Sequence, residues 1–141
     1  MPAMRSTFGT ALACVTVIAM SLVAATPVRA HHSFAPYEPA LQIKLSGVVT
    51  AFKWYNPHVY IELDAPDEKT GATKHWLVEC ASTSILNRAG WKFNMLKAGD
   101  KVTVIVSPLR NGEPAALLKQ ITLADGSKLS NGAAAGRATI E

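Results

Sequence analysis

The run Leu41-Gln42-Ile43-Lys44-Leu45-Ser46-Gly47-Val48-Val49-Thr50-Ala51-Phe52-Lys53-Trp54 alternates apolar and polar residues as a half-buried strand does, then breaks its own pattern. Leu41, Ile43 and Leu45 face one way, with Gln42 and Lys44 between them. At Ser46-Gly47 the phase slips, and Val48, Phe52 and Trp54 continue on the other parity. A glycine at a phase change inside a strand marks a bulge or a sharp bend. The stretch therefore predicts one long, coiled first strand over about 41–54, bent enough to serve two halves of a barrel.

Tyr55-Asn56-Pro57 ends this strand, because proline removes a donor and restricts the residue before it. A second strand follows, with Val59, Ile61 and Leu63 on one face and His58, Tyr60 and Glu62 on the other. Beyond the polar turn from Ala65 to Gly71, a third strand runs from about Lys74 to Cys80. Trp76, Val78 and Cys80 share one of its faces; His75, Leu77 and Glu79 share the opposite one. Ser82 to Ala89 predicts a short helix ended by Gly90, and Trp91, Phe93, Met95 and Leu96 form a second apolar cluster. Strands four and five fall at about Lys101–Ser107 and Ala115–Leu123, separated by the Asn111-Gly112 loop.

Three strands, a short helix and two strands, with a bent first strand, fit an all-β, five-stranded Greek-key barrel of OB type. Closing it removes most exposed edges. A small open sandwich is the competing fold, and the helix position and the bend favour the barrel. The domain is placed at 31–129, with 130–141, small and rich in Gly and Ala, as a disordered tail.

Residues 1–30 carry the parts of a secretory signal. Arg5 is its positive end, Ala11 to Ala25 its apolar stretch, and small Ala30 closes a cleavage site. The apolar run is shorter than the ~20 residues that cross a bilayer, so cleavage is expected rather than anchoring. Cys14 comes too early for lipoprotein processing. The expected product is periplasmic or secreted, free of the membrane after cleavage, and begins His31-His32-Ser33-Phe34. Arg5 and Arg29 leave with the signal, so 12 of the 14 Lys and Arg remain against all 10 acids, a net charge of +2. The charges are interspersed with no basic stripe, which argues against nucleic acid as a partner. Cys80 alone remains after cleavage, cannot form an internal disulfide, and is expected to be buried.

These residues resemble a family. The His31-His32-Ser33-Phe34 start, Gly47-Val48-Val49 leading to Phe52 and Trp54, and Asn56-Pro57-His58 are part of the pattern. Trp76 with Glu79, the Leu86, Arg88, Gly90 and Trp91 block, and Gly99-Asp100 complete it, with Pro108, Gly112 and Asp125-Gly126 following. The chain looks like a member of a family of small exported bacterial proteins classified as a domain of unknown function. The resemblance spans roughly His31 to Leu129 and implies export and a single small β domain, with no activity to transfer.

Two constellations carry candidate chemistry. The first is a metal site. An N-terminal His31 offers its α-amine and imidazole as a chelate, and His32 and His58 supply further imidazoles, with His75 and Glu79 as candidate additions. Planar nitrogen donors suit Cu(II) above other first-row divalent ions, with zinc second. Glu79 would orient a ligand or act as an oxygen donor. The second is a binding face of Trp54, Tyr55, Asn56 and Tyr60 at the break between strands one and two, suited to a protein, glycan or small ligand. The competing structural reading makes the tryptophans core and leaves the terminal histidines as solvated chain ends. Catalysis has little support: there is no nucleophile elbow, phosphate loop or Cys-x-x-Cys pair, and His75 and Cys80 point to opposite faces of one strand. The sequence therefore reads as a binding or accessory protein rather than an enzyme.

The cleavage site is directly measurable. Intact mass and N-terminal sequencing of protein exported from a bacterial host are expected to give a chain starting at His31. A product that retains Arg29 or loses His31 would remove the terminal chelate from consideration.

Overall fold

The computed structural model describes residues 36–141. Its elements are β1 (Ile43–Lys53), β2 (Tyr60–Pro66), β3 (Thr73–Glu79), α1 (Thr83–Arg88), β4 (Lys101–Pro108), β5 (Ala115–Thr122) and β6 (Lys128–Ser130), followed by a 3-10 turn at Ala133–Ala135. The hydrogen-bonded order is β3-β2-β1-β4-β5-β6, and a parallel pairing of β3 with β5 closes the first five strands into a barrel. Strand order and helix position match the OB-type barrel expected from the sequence.

The first strand does serve both halves. Ile43 to Val48 pair with β4, and Val48 to Lys53 pair with β2. At the hand-over the Gly47 backbone lies so close to β2 that a Cβ would run into the Asp64 carbonyl. The phase slip itself falls elsewhere. Leu45 and Val49 are both buried, while Val48 is exposed, so the first parity persists past Gly47. The register shifts between Val49 and Ala51, which makes Thr50 the inserted residue and turns Phe52 and Trp54 toward the core. Two adjacent valines make either parity readable in sequence; the bulge at Thr50 decides it.

The core is the alternating inner face of every strand. Val59, Ile61, Leu63 and Ala65 of the second segment meet Trp76, Val78 and Cys80 of the third. Val102, Val104 and Val106 of β4 and Ala116, Leu118 and Ile121 of β5 close it, and Leu86 from α1 and Trp91 join it. Gly90, at φ 93°, lets the chain leave α1 and bring Trp91 into the core, where its indole N–H donates to the Ser130 carbonyl at 2.9 Å. Phe93, expected in this cluster, is instead 69% exposed.

The segment expected to be a disordered tail is placed against the barrel. β6 pairs with the half of β5 that β3 leaves uncovered. Asn131 is buried, donating to the Leu118 carbonyl at 2.9 Å and accepting from the Ala81 amide at 2.6 Å. Farther on, Gln42 Nε2 donates to the Arg137 carbonyl (3.1 Å) and its Oε1 accepts from the Thr139 amide (2.8 Å). Low side-chain complexity hid this, because the segment is held largely through backbone groups and one asparagine, with Ala135 its small buried apolar side chain.

Gly47→Ala is expected to destabilise the fold by about 1–3 kcal/mol, since the added methyl group must displace β2 backbone rather than a side chain. Urea unfolding followed by tryptophan fluorescence measures it.

Candidate functional site

The turn between β1 and β2 builds the site. Val59 N–H donates to the Ala81 carbonyl (3.1 Å) and Cys80 N–H to the Val59 carbonyl (2.7 Å), extending the β2–β3 ladder back to His58. His58 therefore lies beside the end of β3, where its Nδ1 is 2.9 Å from Glu79 Oε1 and 3.2 Å from the Cys80 carbonyl. Both neighbours are acceptors, so Nδ1 carries the proton and, in the neutral ring, the lone pair is on Nε2.

Tyr37 holds the other carboxylate oxygen, its hydroxyl donating to Glu79 Oε2 at 2.5 Å. Burial, and next the hydrogen bond to this carboxylate, hold the Tyr37 phenol above the usual tyrosine range. Tyr37 is itself fixed by a bridge to Leu109, while Glu38 N–H donates to the Pro108 carbonyl (2.9 Å) and Arg110 N–H to the Pro36 carbonyl (3.0 Å). Tyr60 pairs in register with Glu79 and stands 6.0 Å, ring to ring, from the exposed Tyr55. Partial burial and then the Glu79 charge raise the Tyr60 phenol as well. The result is a relay that runs from the buried Tyr37 through Glu79 to the partly exposed His58, bordered by two tyrosine rings.

The other expected residues are dispersed. His75 sits with Asp64 (Nδ1 to Oδ1, 2.6 Å) and Glu62 (Nε2 to Oε2, 3.6 Å), and Glu62 also pairs with Lys53. His75 and His58 are six residues apart along the β2–β3 ladder, on the order of 20 Å at about 3.3 Å per residue. The structure thus brings His58 and Glu79 together and leaves His75 outside. Asn56 faces α1, accepting from the Thr83 hydroxyl at 2.9 Å. Trp54 turns toward the core, edge-on to Phe52 at 5.6 Å, and does not join the tyrosine pair. His31 and His32 lie outside the described residues. Among the described residues, no group of three or more His, Cys, Asp or Glu converges as a ready-made metal cage, and no helix is long and apolar enough to cross a membrane. Sequence reasoning missed Tyr37. Its signal is an aromatic held between Pro36 and Pro39, a stiff segment that fixes where the ring goes.

The model of the family of unknown function DUF6152 matches residues 18–119, and the chain belongs to that family. No curated protein matches it significantly. Among solved structures it is similar to the mitochondrial single-stranded DNA-binding protein Rim1 of S. cerevisiae, with 13% identity and a TM-score of 0.45 over 60% of this chain and 93% of that one.

Cys80, next to this relay in sequence, points the other way and is fully buried. Burial, then the Glu79 charge, push its thiol well above the ordinary cysteine range. Cys80 of the folded protein is expected to be inert to thiol reagents near pH 8.5, where an ordinary cysteine is about half ionised, and to react at once on unfolding. Rapid native labelling would mean that the β3 end opens.

Proposed function

We propose that this member of the DUF6152 family is an exported binding protein that holds Cu(II) between its processed N-terminus and His58. The observation that carries the reading is the relay itself. A metal-ligating imidazole is ordinarily held by a carboxylate on its other nitrogen, which fixes the tautomer and the ring direction. Glu79 supports His58 in that way, and Tyr37 in turn fixes Glu79.

Chain length also supports the reading: His31 lies six residues before Tyr37 in the sequence, and six residues of extended chain span at most about 20 Å. Tethering of this kind raises the effective concentration of one ligand group at the other. Amine, two imidazoles and His32 nearby give the nitrogen-rich set that favours copper over zinc. Signal removal at Ala30 would create the site in the periplasm or outside the cell.

A second reading rests on a different observation, the exposed Tyr55 tilted against Tyr60. Such a pair suits a protein or glycan partner, with no metal involved. The small net charge of the processed chain argues against nucleic acid.

Cu(II) titration with EPR on protein starting at His31 separates these readings. Stoichiometric binding with nitrogen couplings is expected, abolished by one extra Ala before His31, and weakened about tenfold to a hundredfold by Glu79→Gln, which removes the orienting charge but keeps the shape. Weak binding indifferent to the extra Ala would retire the copper site. Partner capture lost on Tyr60→Ala would then favour the aromatic face.

A further inference from the structure

The outer face of β4 and β5 is covered by segments from both ends of the described chain. Tyr37 and Gln42 come from one side and residues 135–139 from the other, and between them and the sheet lies a cavity of about 410 Å3. Two polar groups lining it are unusual. Ser107 Oγ is buried with no hydrogen-bond partner among the described residues. Lys119 is 5% exposed, donates to the Ala135 carbonyl, and has no carboxylate within ion-pair distance among the described residues. An ammonium has three protons to give, and lysine is almost never fully buried unless paired.

The backbone aims Lys119 there. Ile105 pairs with Gln120 and Val106 with Leu118, which leaves Lys119 as the inserted residue of a bulge. Bulges re-aim a side chain and recur beside functional sites. Leu118 and Ile121 keep their places in the core on either side of it. Gly136, at φ 76°, carries the C-terminal segment over the ammonium, where a Cβ would lie 3.4 Å from Lys119 Nζ. Arg137 adds a second cation at the exposed edge of the same cavity. Burial holds the Lys119 ammonium below the ordinary lysine value, the direction expected of a cation that no carboxylate offsets.

We infer that this cavity binds an oxyanion, the carboxylate or phosphoryl group of a small ligand, held by the Lys119 ammonium and the Ser107 hydroxyl with Arg137 at the edge. An oxyanion accepts from all three, and charge-assisted bonds of this type are the strong ones. The site does not require the copper reading: Tyr37 borders both, but neither His58 nor Glu79 lines this cavity.

The test titrates the processed protein with sodium phosphate and, separately, with sodium acetate, at an ionic strength fixed by chloride, following backbone amide shifts by NMR. Saturable shifts centred on Ser107, Lys119 and Gly136 are expected. Saturation by phosphate alone assigns a phosphoryl group, and by acetate alone a carboxylate. Lys119→Met and Ser107→Ala are each expected to weaken binding about tenfold or more. Ser107→Ala is also expected to raise the Tm of the ligand-free protein by about a few degrees, because it removes an unpartnered buried hydroxyl. Arg137→Ala, on the exposed edge, lowers affinity without touching the fold, and His58→Ala binds the anion as the parent does. Should Lys119→Met not fold, Ser107→Ala and Arg137→Ala decide the matter. Shifts that stay linear for both anions, or saturation unchanged in those two variants, would overturn the site.

Discussion

At Gly47 the backbone of β1 passes against the Asp64 carbonyl with no room for a side chain, and the closed barrel depends on that approach. One strand must hydrogen-bond to β4 along its first half and to β2 along its second, and only a residue without Cβ lets the two neighbours converge on it. The consequences run outward. β2 pairs along its whole length with β3, and β3 reaches round to β5 to complete the closure. The turn between β1 and β2 is then fixed at the end of β3, which puts His58 beside Glu79. The candidate metal ligand owes its position to a glycine eleven residues earlier in the chain.

Glu79 is the second node. Its two oxygens are shared between a buried phenol and an imidazole, so it links the segment before β1, the β1–β2 turn and the end of β3. A carboxylate with both oxygens engaged orients its neighbours more readily than it ligates a metal directly. Of the two roles the sequence allows for Glu79, the geometry therefore favours the orienting one.

The periodicities of the strands were legible because the inner faces are apolar and β1 to β3 alternate them with mostly polar outer positions: Val59, Ile61 and Leu63 could be read straight into the core. The closure was legible from the helix position and the glycine. What escaped is local or long-range. The bulge at Thr50 leaves no mark when two valines precede it, and the bulge at Lys119 resembles an ordinary polar position on an outer face. Tyr37 finds its partner 42 residues away, which no spacing rule encodes. For the same reason the sequence left open which histidine Glu79 would meet: His58 meets it, while His75, a candidate addition to the same site, goes to Asp64.

Both candidate sites sit where a terminal segment lies on the barrel rather than on the strands alone. Tyr37 belongs to each: its hydroxyl fixes Glu79 and its ring lines the Lys119 cavity. The barrel strands carry the polar groups themselves, Glu79 on β3, Ser107 on β4 and Lys119 on β5. Residues 36–42 and 131–139 lie against the barrel and are anchored by Tyr37, Gln42 and Asn131. In such a design the strands close by packing, while a few polar positions on them and the short segments laid over them set the chemistry. That division explains why a fold read easily from hydrophobic periodicity says so little about what the molecule binds.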